Sequence, residues 1–88
     1  MSGPPPIITL TTDFGVQDPY VAAMKGAILT INPAVRVVDV SHAIRPQAID
    51  QAVFVTAAAW PYFPPTAIHV AVVGPEVQEE NLSALAEP

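Results

Sequence analysis

Apolar residues along the chain fall into two alternating rhythms, one suited to strands and one to helices. Ile7, Ile8, Thr9, Leu10, Thr11 and Thr12 are mostly β-branched and give way to Asp13, Phe14 and Gly15, which predicts a first strand followed by a turn. From Asp18 the period lengthens. Val21, Met24, Ile28 and Ile31 recur at i, i+3, i+7 and i+10, with Asp18 placed to cap a helix, Pro19 at its first position, and Asn32 and Pro33 ending it. Val35, Val37, Val38 and Val40 predict a second strand over 34–40. Pro46 opens a second predicted helix whose apolar stripe is Ile49, Val53, Ala57 and Trp60, and which stops at Pro61. After a turn at 62–65, residues 67–73 predict a third strand.

A βαβαβ order predicts an α/β fold with a parallel sheet, because parallel neighbours need long crossover connections and both connections here are long enough. Ligands of such sheets sit outside the carboxyl ends of the strands. The informative positions are therefore Thr12 to Gly15 after the first strand, Asp39, Ser41 and His42 at the second, and Gly74 and Pro75 after the third.

Composition narrows the class. The chain has 88 residues, 51% of them hydrophobic and 12% charged, which makes at most one small domain and excludes a disordered polymer. It has no cysteine, so disulfides, cysteine-zinc sites and thiol catalysis are excluded together. The net charge is -5, and Lys25, Arg36 and Arg45 form no cluster, which argues against a nucleic-acid partner. Met1 to Pro6 carry no basic segment typical of a signal peptide, and every longer apolar run is interrupted before the ~18 residues a membrane span needs. The expectation is a soluble, cytoplasmic protein with no membrane association. Glu76, Glu79, Glu80 and Glu87 are half of the eight acidic residues, so the expected organisation is a proline-rich lead-in at 1–6, an α/β domain at 7–73 and an acidic tail at 74–88.

Among candidate site residues, Asp13 follows the first strand, where a carboxylate can accept bonds from two vicinal hydroxyls such as a ribose diol; a structural turn or cap is the competing reading. Asp18 has helix capping as its alternative. His42 and His69 lack a third ligand at metal spacing, so no metal site is expected, and His69 within a strand reads as a packed, hydrogen-bonded side chain. Lys25 reads as a solvated or snorkelling side chain, and Trp60, Tyr62 and Phe63 as core and turn packing, with contact to a neighbouring subunit as the alternative. The Asp13-Phe14-Gly15 triplet has no kinase context, and no glycine-rich phosphate loop is present.

Taken in order, Thr11-Thr12-Asp13-Phe14-Gly15, Asp18-Pro19-Tyr20-Val21-Ala22-Ala23-Met24-Lys25-Gly26, Ile31-Asn32-Pro33, Val38-Asp39-Val40-Ser41-His42, Pro46-Gln47 and Tyr62-Phe63-Pro64 with Ile68-His69-Val70-Ala71-Val72-Val73 resemble the opening of the S-adenosylmethionine hydroxide adenosyltransferases, relatives of fluorinase and chlorinase. The resemblance implies a homotrimer whose subunits pair an N-terminal α/β domain with a C-terminal β-barrel. It also implies cleavage of S-adenosylmethionine to adenosine and L-methionine by attack of water or hydroxide at ribose C5′, with no metal or redox cofactor. By the same resemblance Asp13 holds the ribose hydroxyls, Asp18 contacts the methionine end, and Gln47 lines the adenosyl pocket.

The departures are as informative. Where the hydrolases carry an aspartate after the third strand and an arginine beyond it, this chain has Gly74 and Asn81, and the family's later histidine and barrel have no counterpart in its 88 residues. Neither glycine nor asparagine supplies a proton acceptor or a fixed cation. The expectation is a partial three-layer N-terminal domain without the barrel, with substrate-binding residues Asp13, Asp18 and Gln47 but no catalytic residues. The expected function is that of a truncated, inactive hydrolase relative; the alternative is a non-catalytic adenosyl-binding or trimer-interaction module.

Overall fold

The structure, a computed structural model, describes residues 3–15 and 19–74. Strand β1 (Ile7–Thr12), helix α1 (Tyr20–Ile31), strand β2 (Arg36–Ser41), helix α2 (Ile49–Ala59) and strand β3 (Ile68–Val72) follow in order, with a short 3-10 turn at Trp60–Tyr62. The strands form one parallel sheet in the order β2-β1-β3. The α/β class and the βαβαβ order are as the sequence predicts.

Local chemistry explains where the boundaries differ from expectation. β2 begins at Arg36 because Asn32 captures the residues before it: its side-chain Oδ1 accepts the Ala34 N–H at 3.1 Å and its carbonyl accepts the Val35 N–H at 3.2 Å. β3 begins at Ile68 because the Ala67 N–H is committed to the Pro64 carbonyl at 2.9 Å. Helix α1 starts one residue later than expected, with Pro19 in the capping position rather than the first helical one. The expected capping residue, Asp18, lies outside the described residues. Helix α2 cannot start at Pro46, since Gln47 has φ 64°, a left-handed value no α-helix accommodates.

The largest correction concerns which face of α2 is buried. Ile49, Val53 and Trp60 of the predicted stripe are 66%, 62% and 54% exposed, and Phe54 is exposed beside them. The sheet-facing side is instead built from Ala48, Ala52, Val55, Thr56 and Ala59, with Ala52 fully enclosed. Small residues let this helix lie close across all three strands. The hydrophobic stripe that periodicity finds is the one facing outward. In α1, Val21, Met24 and Ile28 are half-buried while Ile31 is exposed at the helix end.

Burial concentrates on the central strand. Thr9, Leu10, Thr11 and Thr12 are all buried, joined by Val35, Ile44 and Ala52. Alternation along β1 sends Thr9 and Thr11 to one face and Leu10 and Thr12 to the other. The parallel register puts His69 beside Thr9 on the first face, and Asp39 and Val70 beside Leu10 on the second. Between Leu10 and Thr11 the pairing with β2 shifts by one residue, from Asp39 to Ser41. The extra residue, Val40, advances β2 so that His42 rather than Ser41 comes level with Thr12.

Candidate functional site

At the carboxyl end of the sheet, Asp13 sits where residues that follow each of the three strands come together. Its carboxylate Oδ2 accepts the backbone N–H of Gln47 at 3.1 Å, from the segment between β2 and α2, and that of Gly74 at 3.4 Å, from just after β3. The Asp13 N–H donates to the Val72 carbonyl at 3.4 Å. Asp13 thus ties together segments far apart in sequence. A carboxylate has about four acceptor positions, so two bonds on one oxygen leave capacity for donors of a ligand.

Backbone conformation shapes this corner. Gly15 adopts φ 73°, which glycine reaches at no steric cost, and its N–H donates to the His42 carbonyl at 2.8 Å. Gln47 adopts φ 64° without being glycine, a conformation that costs on the order of 1 kcal/mol and is held by its surroundings. It is in this conformation that the Gln47 amide reaches Asp13.

Beside Asp13 runs a second set of polar contacts that the sequence pattern alone does not assemble. Thr12 Oγ1 and His42 Nδ1 are 2.8 Å apart, and the Phe14 N–H donates to the same Thr12 oxygen at 3.1 Å. His42 Nε2 meets Asp39 Oδ1 at 2.8 Å, and Lys25 Nζ donates to Asp39 Oδ2 at 2.7 Å. Lys25, expected as a solvated side chain, is therefore an ion-pair partner. Its hydrogen bond, and after it that of His42, holds the Asp39 carboxyl below the ordinary aspartate range. The sequence signal is present as Asp39 and His42 three apart at a strand end, but their union with Thr12 depends on the bulge. His69 is the packed, hydrogen-bonded residue expected. Its Nδ1 lies 2.8 Å from Thr9 Oγ1, and Trp60 stacks on its ring at 4.0 Å while Phe63 meets it edge-on at 5.8 Å.

Of the predicted site residues, the fold brings Asp13 and Gln47 together, while Asp18 lies outside the described residues. Gly74 is described and joins them, whereas Asn81 is not among the described residues. Among the described residues no group of three or more histidine, cysteine, aspartate or glutamate side chains is arranged to hold a metal ion, and no helix is long and apolar enough to cross a membrane. A cleft lined by Pro4, Pro5, Pro6, Ile7, Pro64 and Thr66 opens at the amino-terminal end of β1, a strand's length from Asp13.

The sequence profile of the SAM (S-adenosylmethionine) hydroxide adenosyltransferase N-terminal domain matches residues 8–87. The chain belongs to this family. A (R)-S-adenosyl-L-methionine hydrolase from Methanocaldococcus jannaschii is 48% identical over 85 residues, which cover 92% of this chain and 32% of the relative. A crystal structure of an uncharacterized conserved protein from Thermotoga maritima matches with a TM-score of 0.73 at 33% identity, covering 75% of this chain and 25% of that one. A conserved hypothetical protein from Thermus thermophilus matches with a TM-score of 0.70 at 41% identity, covering 85% of this chain and 31% of that one. The SAM hydroxide adenosyltransferase domain described here thus spans about a third of the length of the hydrolase relative.

Proposed function

We propose that this chain carries the adenosyl-binding corner of a SAM hydrolase, with Asp13 accepting the two ribose hydroxyls, Gln47 lining the adenosyl pocket and Asp18 contacting the methionine end. The observation that supports this most is the setting of Asp13. It stands at the carboxyl end of the central strand, fixed by the amides of Gln47 and Gly74, with acceptor capacity to spare. A carboxylate held in this way receives a vicinal diol without reorganising, and each charge-assisted bond is worth about 1.5 to 3 kcal/mol.

In the reaction of the family, a water oxygen forms a bond to C5′ while the C5′–sulfur bond breaks, its electron pair staying on sulfur to give L-methionine. The water proton needs an acceptor. Gly74 and Asn81 occupy the positions where the hydrolases carry their aspartate and arginine, so the 88-residue polypeptide has neither the proton acceptor nor the cation there. We infer binding without turnover for this polypeptide by itself.

Two measurements test the reading. Incubation with S-adenosylmethionine should release no adenosine above a heat-treated control, and substantial release free of contaminating enzyme would overturn the inactivity. Calorimetric titration with adenosine should show that Asp13→Ala loses most of the affinity of the wild-type chain. Equal affinities would remove Asp13 from the site.

A further inference from the structure

The chain of contacts from Lys25 through Asp39 and His42 to Thr12 ends on the turn that carries Asp13, and its proton inventory runs in one direction. An ionised carboxylate only accepts, so Asp39 Oδ1 requires the proton on His42 Nε2. A neutral His42 ring then has a lone pair on Nδ1, which takes the Thr12 hydroxyl proton, and the freed lone pairs of Thr12 Oγ1 take the Phe14 N–H. His42 grips the turn a second time through its carbonyl, which accepts the Gly15 N–H at 2.8 Å. Asp13 lies between these two anchor points. A threonine-histidine-aspartate row also invites a nucleophile reading, but Thr12 has no exposed surface and its oxygen is engaged on both sides.

We propose that His42 is a positioning residue for Asp13: acting through Thr12, it fixes the 13–15 turn in the orientation that presents the carboxylate. What that carboxylate receives rests on the ribose reading above. The arrangement also couples the turn to one proton. If the His42 ring takes up a second proton, Nδ1 becomes a donor and the buried Thr12 hydroxyl loses its acceptor, so the Phe14 anchor must readjust. The groups facing His42 are Asp39 from β2, Lys25 from α1 behind Asp39, and the Thr12 hydroxyl from β1. On this face β3 contributes Ile68, Val70 and Val72, and His69 lies on the other.

The test uses the 15N-labelled chain with Thr12→Val, Thr12→Ser, His42→Ala and His42→Asn, reading amide hydrogen exchange at Phe14 against Val70 in the sheet, so that general unfolding is recognised. Exchange at Phe14 should accelerate about tenfold or more in Thr12→Val and His42→Ala, the loss of one typical hydrogen bond of roughly 1 to 1.5 kcal/mol. Thr12→Ser, which keeps the hydroxyl, should stay within about twofold of wild type. His42→Asn keeps a polar atom near the Nδ1 position but cannot reach Asp39, and should fall between. Adenosine affinity should drop about tenfold in Thr12→Val. Wild-type Phe14 exchange in either His42→Ala or Thr12→Val, or a Thr12→Ser as impaired as Thr12→Val, would overturn the proposal. Intact Phe14 responses with equal adenosine affinity in wild type and Asp13→Ala would sink the ribose reading and uphold the relay.

Discussion

The central strand makes the same pairing twice, once on each face of the sheet, and the surroundings give each pair a different task. Thr9 meets His69 and Thr12 meets His42, both through Nδ1 and both at 2.8 Å. Around His69 the neighbours are aromatic: Trp60 lies flat on the ring and Phe63 touches its edge, closing the 3-10 turn after α2 over mid-sheet. Around His42 they are charged, with Asp39 on the other ring nitrogen and Lys25 behind it, at the strand end beside Asp13. One pair packs a connection onto the sheet. The other ties the strand end to the turn that carries Asp13. A threonine-histidine contact by itself therefore predicts little about role; the second partner of the imidazole decides it.

The sharpest way to break this comparison is to remove each histidine. His69→Ala strands the buried Thr9 hydroxyl, at about 1 to 3 kcal/mol, and removes an aromatic stack worth about 0.5 to 1.5 kcal/mol. The expected outcome is a loss of roughly 2 to 4 kcal/mol in denaturant unfolding with Phe14 exchange unchanged relative to the sheet. If His69→Ala loosened the Phe14 amide as much as His42→Ala does, the division of labour between the two faces would be wrong.

A smaller effect comes from the strained corner at Gln47, beside Asp13. Gln47→Gly relieves the left-handed backbone, and after allowing for the extra freedom of glycine in the unfolded chain the net gain should be a few tenths to about 1 kcal/mol. Gln47→Ala keeps the strain and should show no gain. Adenosine affinity should fall in both if the Gln47 side chain lines the pocket. A thermal melt beside a calorimetric titration separates the two effects, and a Gln47→Gly chain no more stable than Gln47→Ala would remove the strain argument.

Acid provides the weakest handle, because the Lys25 and Asp39 side chains are partly exposed and such pairs contribute little in water. The folded-state pKa of Asp39 lies below its unfolded value, first through the Lys25 bond and then through His42. Its contribution is therefore fully present above the unfolded aspartate value, near pH 4, and is lost as the pH falls through the lower folded value. Urea unfolding of wild type and Asp39→Asn should show a gap that is constant above about pH 5 and closes below about pH 4. A gap independent of pH throughout the acid range would exclude the carboxylate from the relay.

Much of the molecule is legible in the sequence, and particular residues show why the rest is not. Strand β1 has the bounds its pattern predicts because its β-branched run ends at an aspartate and a glycine, signals that act locally. Asp13 stands out because parallel sheets place ligands at strand ends, a rule that needs only topology. The face of α2 is misread from the pattern because periodicity detects where apolar residues cluster, not which side another element will cover. Ala48, Ala52 and Ala59 lie against the sheet because they are small, and the bulky Val53 and Phe54 are turned outward.

The sequence by itself determined the order of strands and helices, the parallel class of the sheet and the position of Asp13, since each follows from local propensity or from the length of a connection. Only the tertiary structure decided that Gly74 and Gln47 would meet on the Asp13 carboxylate, that Lys25 would find Asp39, and that the residue inserted at Val40 would bring His42 level with Thr12. These contacts join residues as far apart as 61 positions, and their partners are set by strand register, which a one-residue shift changes for every side chain beyond it.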